Sequence, residues 1–330
     1  MRIQPIVKNG RFYNHEKEST KHRLKEIITT FFYITSKRIR KNIFSFDSKN
    51  VAQNWIVKTK PIPASIKPII TWLGHSTFLI QIAGKNIITD PVFYGVSKFY
   101  PRMVSFPFPP TVLPKIDIIL ISHNHMDHMN KRSLLELKKN NPFILVPEGD
   151  KAWFTFHKFK NTIEHKWWEE TSLPVNENIR SKQVLCSFLP AFHWSGRTLH
   201  EINTSLWGSW LIEYDGFRIY FGGDTAFSSH FKAIGTYYNP IDIALLPIGP
   251  HNPRDRMQDS HISSTEVIQA FVDLQARHLF PMHWGTFRGG LDNFENPIEE
   301  LKNSWEERLE VANSNNKHLY ILKFGEGHTF

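Results

Sequence analysis

Residues Lys115 to His128 read KIDIILISHNHMDH, an apolar run that ends on a dense set of metal-binding side chains. The stretch Ile116 to Ile121 has the length and β-branched content of a strand buried on both faces. His123, His125, Asp127 and His128 follow it, three imidazoles and one carboxylate within six residues. Such groups packed together repel when protonated and lose hydration when buried, and a cation offsets both effects. Nitrogen and oxygen donors of this kind suit zinc, and Fe or Mn accept the same set. In a tight loop at a strand end, alternate side chains can turn toward two neighbouring ions. One such loop starts two coordination spheres and completes neither.

The missing ligands should come from other strand ends, where functional loops concentrate. Three residues fit: His193 after the run at 184–189, Asp224 closing FRIYFGGD, and His283 closing HLFPMH. Taken singly, a histidine beside Trp194 or Trp284 also reads as a packed aromatic neighbour. Their common position just past apolar runs is what groups them.

From Pro68 onward the pattern is one of short apolar runs punctuated by Gly, Pro and Asp: IITWLGHSTFLIQIAGKNIITDPVF, VLCSFLPAFHW, SLWGSWLIEYDGFRIYFGGD, IDIALLPIG and ARHLFPMHWG. These predict strands, the first pair joined as a hairpin through Ala83-Gly84-Lys85 and a closing one at HLYILKFGEG. Helices are predicted at Lys131–Asn140 and at Ser264–Leu274, the second opened by Ser263 with Glu266 three residues on. Strands outnumber helices, so the expected architecture is α/β, with mixed sheets covered by helices in a single domain.

The chain has 330 residues, with 41% hydrophobic and 14% aromatic content, enough to build a large core and to exclude disorder or a fibrous repeat. Cys186 is the single cysteine, which rules out an internal disulfide framework and a cysteine-built structural zinc site. The start MRIQPIVKNGRFYN lacks an apolar h-region and a small-residue cleavage site. Together with the lack of a ~20-residue apolar span, this gives the expectation of a cytoplasmic chain without leader or transmembrane helix.

The net charge is +9, and its distribution is uneven. Residues 1–60 hold 14 Lys/Arg against 4 Asp/Glu, which leaves 26 against 27 from Pro61 onward. The division expected is therefore a basic N-terminal extension, 1–60, and a nearly neutral domain, 61–330. Within the extension, Leu24, Ile27, Ile28, Phe31 and Ile34 recur at helical spacing between basic clusters. Two readings stand: a helix lying on an anionic membrane surface, or one packed on the domain with its charges in water. The first would place the chain peripherally on the inner face of a membrane. The Pro-rich loop KFYPRMVSFPFPP, with Phe99, Phe106 and Phe108, offers the same choice between a membrane-touching lid or pocket wall and an ordinary packed loop.

The order HxHxDH, His193, Asp224 in GGDT and His283 in PMHWGTF resembles the metallo-β-lactamase fold superfamily of binuclear metallohydrolases. Within it, TWLGHSTFLI, TDPVF, AFHWSGRT, LWGSW, GGDT, PIG, HISSTEV and HWGTF resemble the N-acyl-phosphatidylethanolamine-hydrolysing phospholipase D branch over about residues 68–290. The resemblance implies an αββα sandwich of two mixed β-sheets with two zinc ions at one edge. His123, His125 and His193 would hold one ion, Asp127, His128 and His283 the other, with Asp224 bridging. Two cations sharing a water lower its pKa toward neutrality and make it the nucleophile, so no side-chain nucleophile is required.

His261 in HISSTEV matches a family histidine near the substrate, and with Asp127 it is the catalytic candidate; packing beside a helix is the alternative for His261. His75 in GHST and Asp90 in TDP match family positions that could orient ligands through hydrogen bonds, or serve only their turns. His251 and Arg254 in PIGPHNPR are substrate candidates, although the branch pattern has an aromatic residue at the place of His251.

The leading expectation is a zinc phosphodiesterase acting on (N-acyl) phospholipids in the manner of a phospholipase D. A lactonase or other small-substrate hydrolase of the same fold is the alternative. A nuclease is disfavoured, because the domain beyond Pro61 lacks the broad positive surface that nucleic acid requires. A non-enzymatic membrane-surface module would have no use for seven ligands around an open position.

Overall fold

A computed structural model of the chain describes residues 2–15, 29–30, 32–34, 36–37, 52–98, 100–176, 179–311 and 316–330. It opens with a hairpin of β1 (Ile6–Lys8) and β2 (Arg11–Tyr13). Next come β3 (Ile69–Gly74), β4 (Thr77–Ile82), β5 (Lys85–Thr89), β6 (Ile118–Leu120), β7 (Phe143–Pro147) and β8 (Asn161–His165). Helices α1 (Lys131–Leu137) and α2 (Lys151–Phe156) make the crossovers after β6 and β7. The second half holds β9 (Glu169–Asn176), β10 (Ile179–Leu189), β11 (Ser209–Tyr214), β12 (Phe217–Phe221), β13 (Ile241–Pro247), β14 (Ala276–Met282), β15 (His318–Leu319) and β16 (Gly327–Thr329). Its helices are α3 (His230–Tyr238), α4 (Arg254–Met257), α5 (Glu266–Asp273) and α6 (Asn296–Val311).

Two seven-stranded mixed sheets result, in the orders β16-β3-β4-β5-β6-β7-β8 and β15-β14-β13-β12-β11-β10-β9. Each is antiparallel at one end and parallel at the other, and the parallel half is reached through helices. The period-two geometry of a strand decides where each side chain goes. Ile118 and Leu120 of β6 join the large cluster between the sheets, whereas Ile119 and Ile121 face Leu134 and Leu137 of α1 and Phe154 of α2. This is the sandwich of two mixed sheets flanked by helices that the sequence predicts.

Local chemistry accounts for the joints. The β4–β5 hairpin turns on Ala83 and Gly84, both with positive φ, as a two-residue turn between right-twisted strands requires. The capping pattern before α5 closes reciprocally: the Ser263 backbone N–H donates to Glu266 Oε2 at 3.0 Å and the Glu266 N–H to Ser263 Oγ at 3.2 Å. HLYILKFGEG, expected as one strand, keeps only His318 and Leu319 in the ladder. Beyond Tyr320 the chain leaves β14, and Phe324 pairs with residues 55–57 before β16 joins β3.

The predicted N-terminal helix falls largely outside the described residues, and so does Phe99. Residues 29–30, 32–34 and 36–37 are helical, with Ile34 buried and Phe32 exposed. Phe12 and Ala52 belong to the large core, so the β1–β2 hairpin and the segment around Ala52 pack on the body formed by the rest. Phe106 and Phe108 pack with Phe93 in the smaller core, so these two settle on the side of an ordinary packed loop. No helix among the described residues is long and apolar enough to cross a membrane.

The carboxyl ends of β5, β6, β10, β12, β13 and β14 meet at one edge of the sandwich, where bonds tie the two sheets together. Gly208 N–H donates to Ser122 O at 3.0 Å, and Trp210 Nε1 to Ile121 O at 2.9 Å. Gly223 lies at this seam with φ +58°, and a Cβ there would stand 2.6 Å from Ser122 Cβ. Gly216, in the β11–β12 turn, has φ +80° but nothing within 4 Å of the same position. Both Gly→Ala changes strain the backbone, and only Gly223→Ala also clashes with a neighbouring segment, at Ser122. Gly223→Ala should therefore lose more than about 1 kcal/mol in denaturant unfolding and exceed the loss in Gly216→Ala. Equal losses would show that the close approach at Ser122 does not matter.

Candidate metal centre

Asp90 follows β5, the 123–128 loop follows β6, His193 follows β10, Asp224 follows β12 and His283 follows β14. Three of the residues gathered here hold positive φ without being glycine: His75 at 54°, Asp90 at 33° and His283 at 63°. Such conformations cost about 1–3 kcal/mol each and persist where surrounding structure dictates them.

Among the described residues four overlapping groups of donors form: Asp90, His123 and His128; His193, Asp224 and His261; and two that share no member with each other. His123, His125 and His193 make one, and Asp127, His128 and His283, with His75, the other; within each group the ligand atoms lie within 4.8 Å of one another. Asp224 reaches both. Its Oδ1 is 3.0 Å from His283 Nε2, and its Oδ2 is 3.3 Å from His128 Nε2 and 3.8 Å from His193 Nε2.

The outward face of each imidazole decides what the inward face offers. His193 Nδ1 donates to Ser260 O at 2.8 Å, and His283 Nδ1 to Gly249 O at 2.6 Å. His128 Nδ1 donates to Asp90 Oδ2 at 2.8 Å. Ser122 Oγ donates to the same Asp90 oxygen at 2.5 Å, so His123 Nδ1, 2.9 Å from Ser122 Oγ, is also the donor of its pair. With these acceptors on the outward side, His123, His193 and His283 in the neutral form carry the proton outward and point a lone pair inward. By contrast, Asp224 and Asp127 raise His128 well above its ordinary pKa against burial and keep a proton on its inward nitrogen until a cation displaces it. The inward nitrogens then crowd: His128 Nε2 and His283 Nε2 are 3.3 Å apart, and His125 Nδ1 is 2.8 Å from His123 Nε2 and 3.4 Å from His193 Nε2. Converging lone pairs among buried carboxylates are the donor chemistry of a cation site, and the residues fit a pair of metal ions.

The electrostatics agree at His123 and His193. Burial drives the His123 and His193 imidazoles well below their ordinary pKa, toward the neutral form that ligates. Burial opposes ionisation of Asp224, yet His128 and His283 hold its carboxyl well below the usual range. Asp127 is likewise held low against burial by His128 and by the hydrogen bond from His75 Nε2, at 3.1 Å. Burial lowers His261 to about 3, so this ring is neutral near pH 7. Its side chain is 15% exposed against 1% for His193, and its Nδ1 lies 3.8 Å from Asp224 Oδ2.

The remaining sequence candidates separate. His75 touches Asp127, and Asp90 touches His128 and Ser122, each one bond from the donor groups. Arg254 spends its guanidinium on Glu266, at 2.6 Å, and on the His261 carbonyl, at 2.7 Å. His251 is buried and faces Glu300 and Asp292 at 3.1 and 3.5 Å. The sequence reading missed Asn124, between two donors. Its Oδ1 accepts from Gly196 N–H at 2.7 Å, and its Nδ2 donates to Asp150 and Ser205. A cleft beside the donors is lined by His75, His283, Tyr100, Met103, Phe287 and Arg288.

A model of the β-lactamase superfamily domain matches residues 85–284. The chain belongs to the metallo-β-lactamase superfamily. It is 37% identical over 240 residues to the mitochondrial N-acyl-phosphatidylethanolamine-hydrolyzing phospholipase D of Saccharomyces cerevisiae, covering 70% of this chain and 50% of that one. It is 32% identical over 261 residues to N-acyl-phosphatidylethanolamine-hydrolyzing phospholipase D 1 of Caenorhabditis elegans, covering 74% and 71%. These relatives put it in the phospholipase D-like branch, although it spans about half the length of the yeast protein. In fold it is similar to a metallo hydrolase of Ignicoccus hospitalis, with a TM-score of 0.60 at 22% identity over 80% of this chain and 98% of that one.

Asp90 meets two donors at once, directly at His128 and through Ser122 at His123. Asp90→Ala should weaken metal binding by about 10- to 100-fold, read by competition with a chromophoric chelator. Unchanged affinity would leave Asp90 a turn residue only.

Proposed function

We propose that this chain is a binuclear metallohydrolase, zinc-loaded, that cleaves the phosphodiester bond of N-acyl phospholipids in the manner of a phospholipase D. The observation that carries the binuclear reading is Asp224, whose two oxygens lie within 3.0–3.8 Å of histidines from both donor groups. His123, His125 and His193 would hold one ion and Asp127, His128 and His283 the other, with Asp224 between. Two bound cations would supply Lewis-acid polarisation of the phosphoryl group and acidify water toward neutral pKa.

The protein's own groups supply the rest. Asp90, His75, Ser260 O and Gly249 O fix ligand orientation and protonation. His261, neutral and partly exposed, can donate a hydrogen bond to a phosphoryl oxygen or accept a proton, while Arg254 holds its backbone in place. Tyr100, Met103 and Phe287 give the cleft an aromatic and apolar wall for acyl chains, and Arg288 brings a cation to the same cleft. The names of the yeast and nematode relatives support the lipid substrate. The basic extension, where seven cationic residues flank Phe31 and Phe32, would add peripheral contact with an anionic membrane surface.

The test is elemental analysis of purified protein beside hydrolysis of N-acyl phospholipids, ordinary phospholipids, lactones and RNA. About two metals per chain and preference for the N-acyl phospholipid are expected. A well-folded sample holding at most one metal after zinc supplementation would sink the binuclear reading, and turnover of lactones alone would replace the lipid one. His261→Ala should keep its metals and lose turnover by a factor on the order of 10². Loss of one metal would move His261 into the coordination shell, and unchanged kinetics would leave it a packing residue.

A further inference from the structure

The sequence GRFYN, residues 10–14, lies in the segment set apart by its charge, yet its last residue reaches the metal centre. Asn14 directly follows β2, is 3% exposed, and stands 179 positions from His193 in the chain. Its carboxamide pairs with both polar groups of the His193 backbone. Asn14 Nδ2 donates to His193 O at 3.0 Å, and His193 N–H donates to Asn14 Oδ1 at 3.2 Å. Trp207 Nε1 donates to the same oxygen at 3.1 Å. A single side chain thus takes the place of a neighbouring strand for one residue only, and that residue is a proposed ligand.

We propose that Asn14 is a positioning residue for His193, so that the N-terminal hairpin completes the metal site of His123, His125 and His193. The proposal rests on the metal assignment above. Two restraints act on His193 from opposite sides. Ser260 O takes the ring proton and sets the rotation of the imidazole, while Asn14 sets the backbone from which the ring projects. Their joint result is the placement of His193 Nε2 at 3.4 Å from His125 Nδ1 and 3.8 Å from Asp224 Oδ2.

Asn14 can hold this position because the hairpin that carries it is itself fastened. Phe12 N–H donates to Asn203 O at 2.8 Å, and Phe12 is buried in the large core. Arg11 bonds the carbonyls of Ile202 and His200, and Trp168 Nε1 donates to Ile3 O at 2.6 Å. These contacts dock the hairpin without touching a ligand, which separates docking from positioning. A plain buried asparagine would serve stability alone; this one also sets a coordinating atom. A deletion reaching into residues 1–15 would therefore disturb the metal site along with any membrane contact of the extension.

The test uses the full-length chain, stripped of metal and titrated with cobalt(II), following the ligand-field absorption that reports each ion's geometry without reference to turnover. Wild type, Asn14→Ala, Asn14→Asp and Arg11→Ala are compared, with thermal unfolding of the metal-free proteins alongside. Asn14→Ala should weaken one of two cobalt ions by about 10- to 100-fold and alter its spectrum, leaving the other ion unchanged. Asn14→Asp keeps an acceptor for the His193 N–H but turns a carboxylate oxygen toward its carbonyl, so it should show the same single-site loss. Arg11→Ala should lower the unfolding temperature while both ions bind as in wild type. If Asn14→Ala does not fold, Asn14→Ser replaces it, since a hydroxyl cannot span both backbone groups, and the same loss is expected. Wild-type affinity and spectrum in the Asn14 variants would overturn the proposal, as would an equal loss in Arg11→Ala, which would reduce Asn14 to docking. A wild-type chain that binds fewer than two ions would refute the metal assignment itself, whatever the variants do.

Discussion

At the carboxyl-end edge of the sandwich, imidazoles and carboxylates are buried together, with the Nδ1 protons of His128, His193 and His283 turned outward. The inward nitrogens and oxygens stand 2.8–3.8 Å apart, too close for so many lone pairs unless positive charge lies among them. Much of the surrounding structure answers this constraint. Acceptors that cannot donate, the Ser260 and Gly249 carbonyls and the Asp90 carboxylate, settle which nitrogen carries each proton. The positive φ of His75, Asp90 and His283 is tolerated at the same edge. Cross-sheet bonds at Ser122 and Ile121 keep ligands from the two sheets in fixed relation.

The arrangement also separates holding a metal from meeting a substrate. The deepest donors, His123, His128, His193 and Asp224, are almost fully buried, so their geometry is set by protein contacts alone. Asp127 and His261 are the more open members, at 24% and 15%. Arg254, the first residue of α4, spends its charge on Glu266 and the His261 carbonyl, which ties the α5 cap to the histidine proposed to meet the substrate.

What was legible in the sequence is what is dense or periodic there. HNHMDH concentrates donor chemistry in one loop, and His193, Asp224 and His283 each stand just past an apolar run, so their convergence follows once those runs are strands. The Ala83-Gly84 turn and the Ser263/Glu266 cap were legible because each depends on neighbours within a few residues. Contacts made between distant segments were not. Asn14 resembles any other asparagine until the hairpin is seen docked beside His193. Arg254 and His251 looked available because their carboxylate partners, Glu266, Asp292 and Glu300, lie elsewhere in the chain. β7, β8 and β9 carry Pro, Glu and Asn among their apolar residues and give little alternation to read. The last predicted strand divides because residues 318–329 serve both sheets in turn.

That division has a consequence for how the molecule is made. β3, with Ile69, Thr71 and Trp72, finds its outer partner only in residues 326–329. During synthesis the sheet that carries the HNHMDH loop must wait with one bare edge until residues 327–329 have left the ribosome. An unpaired strand rich in Ile and Trp is a template for pairing with other chains. The nascent protein is therefore most open to self-association in the interval before its last strand arrives, and chaperone demand should concentrate there rather than around the metal-binding loop.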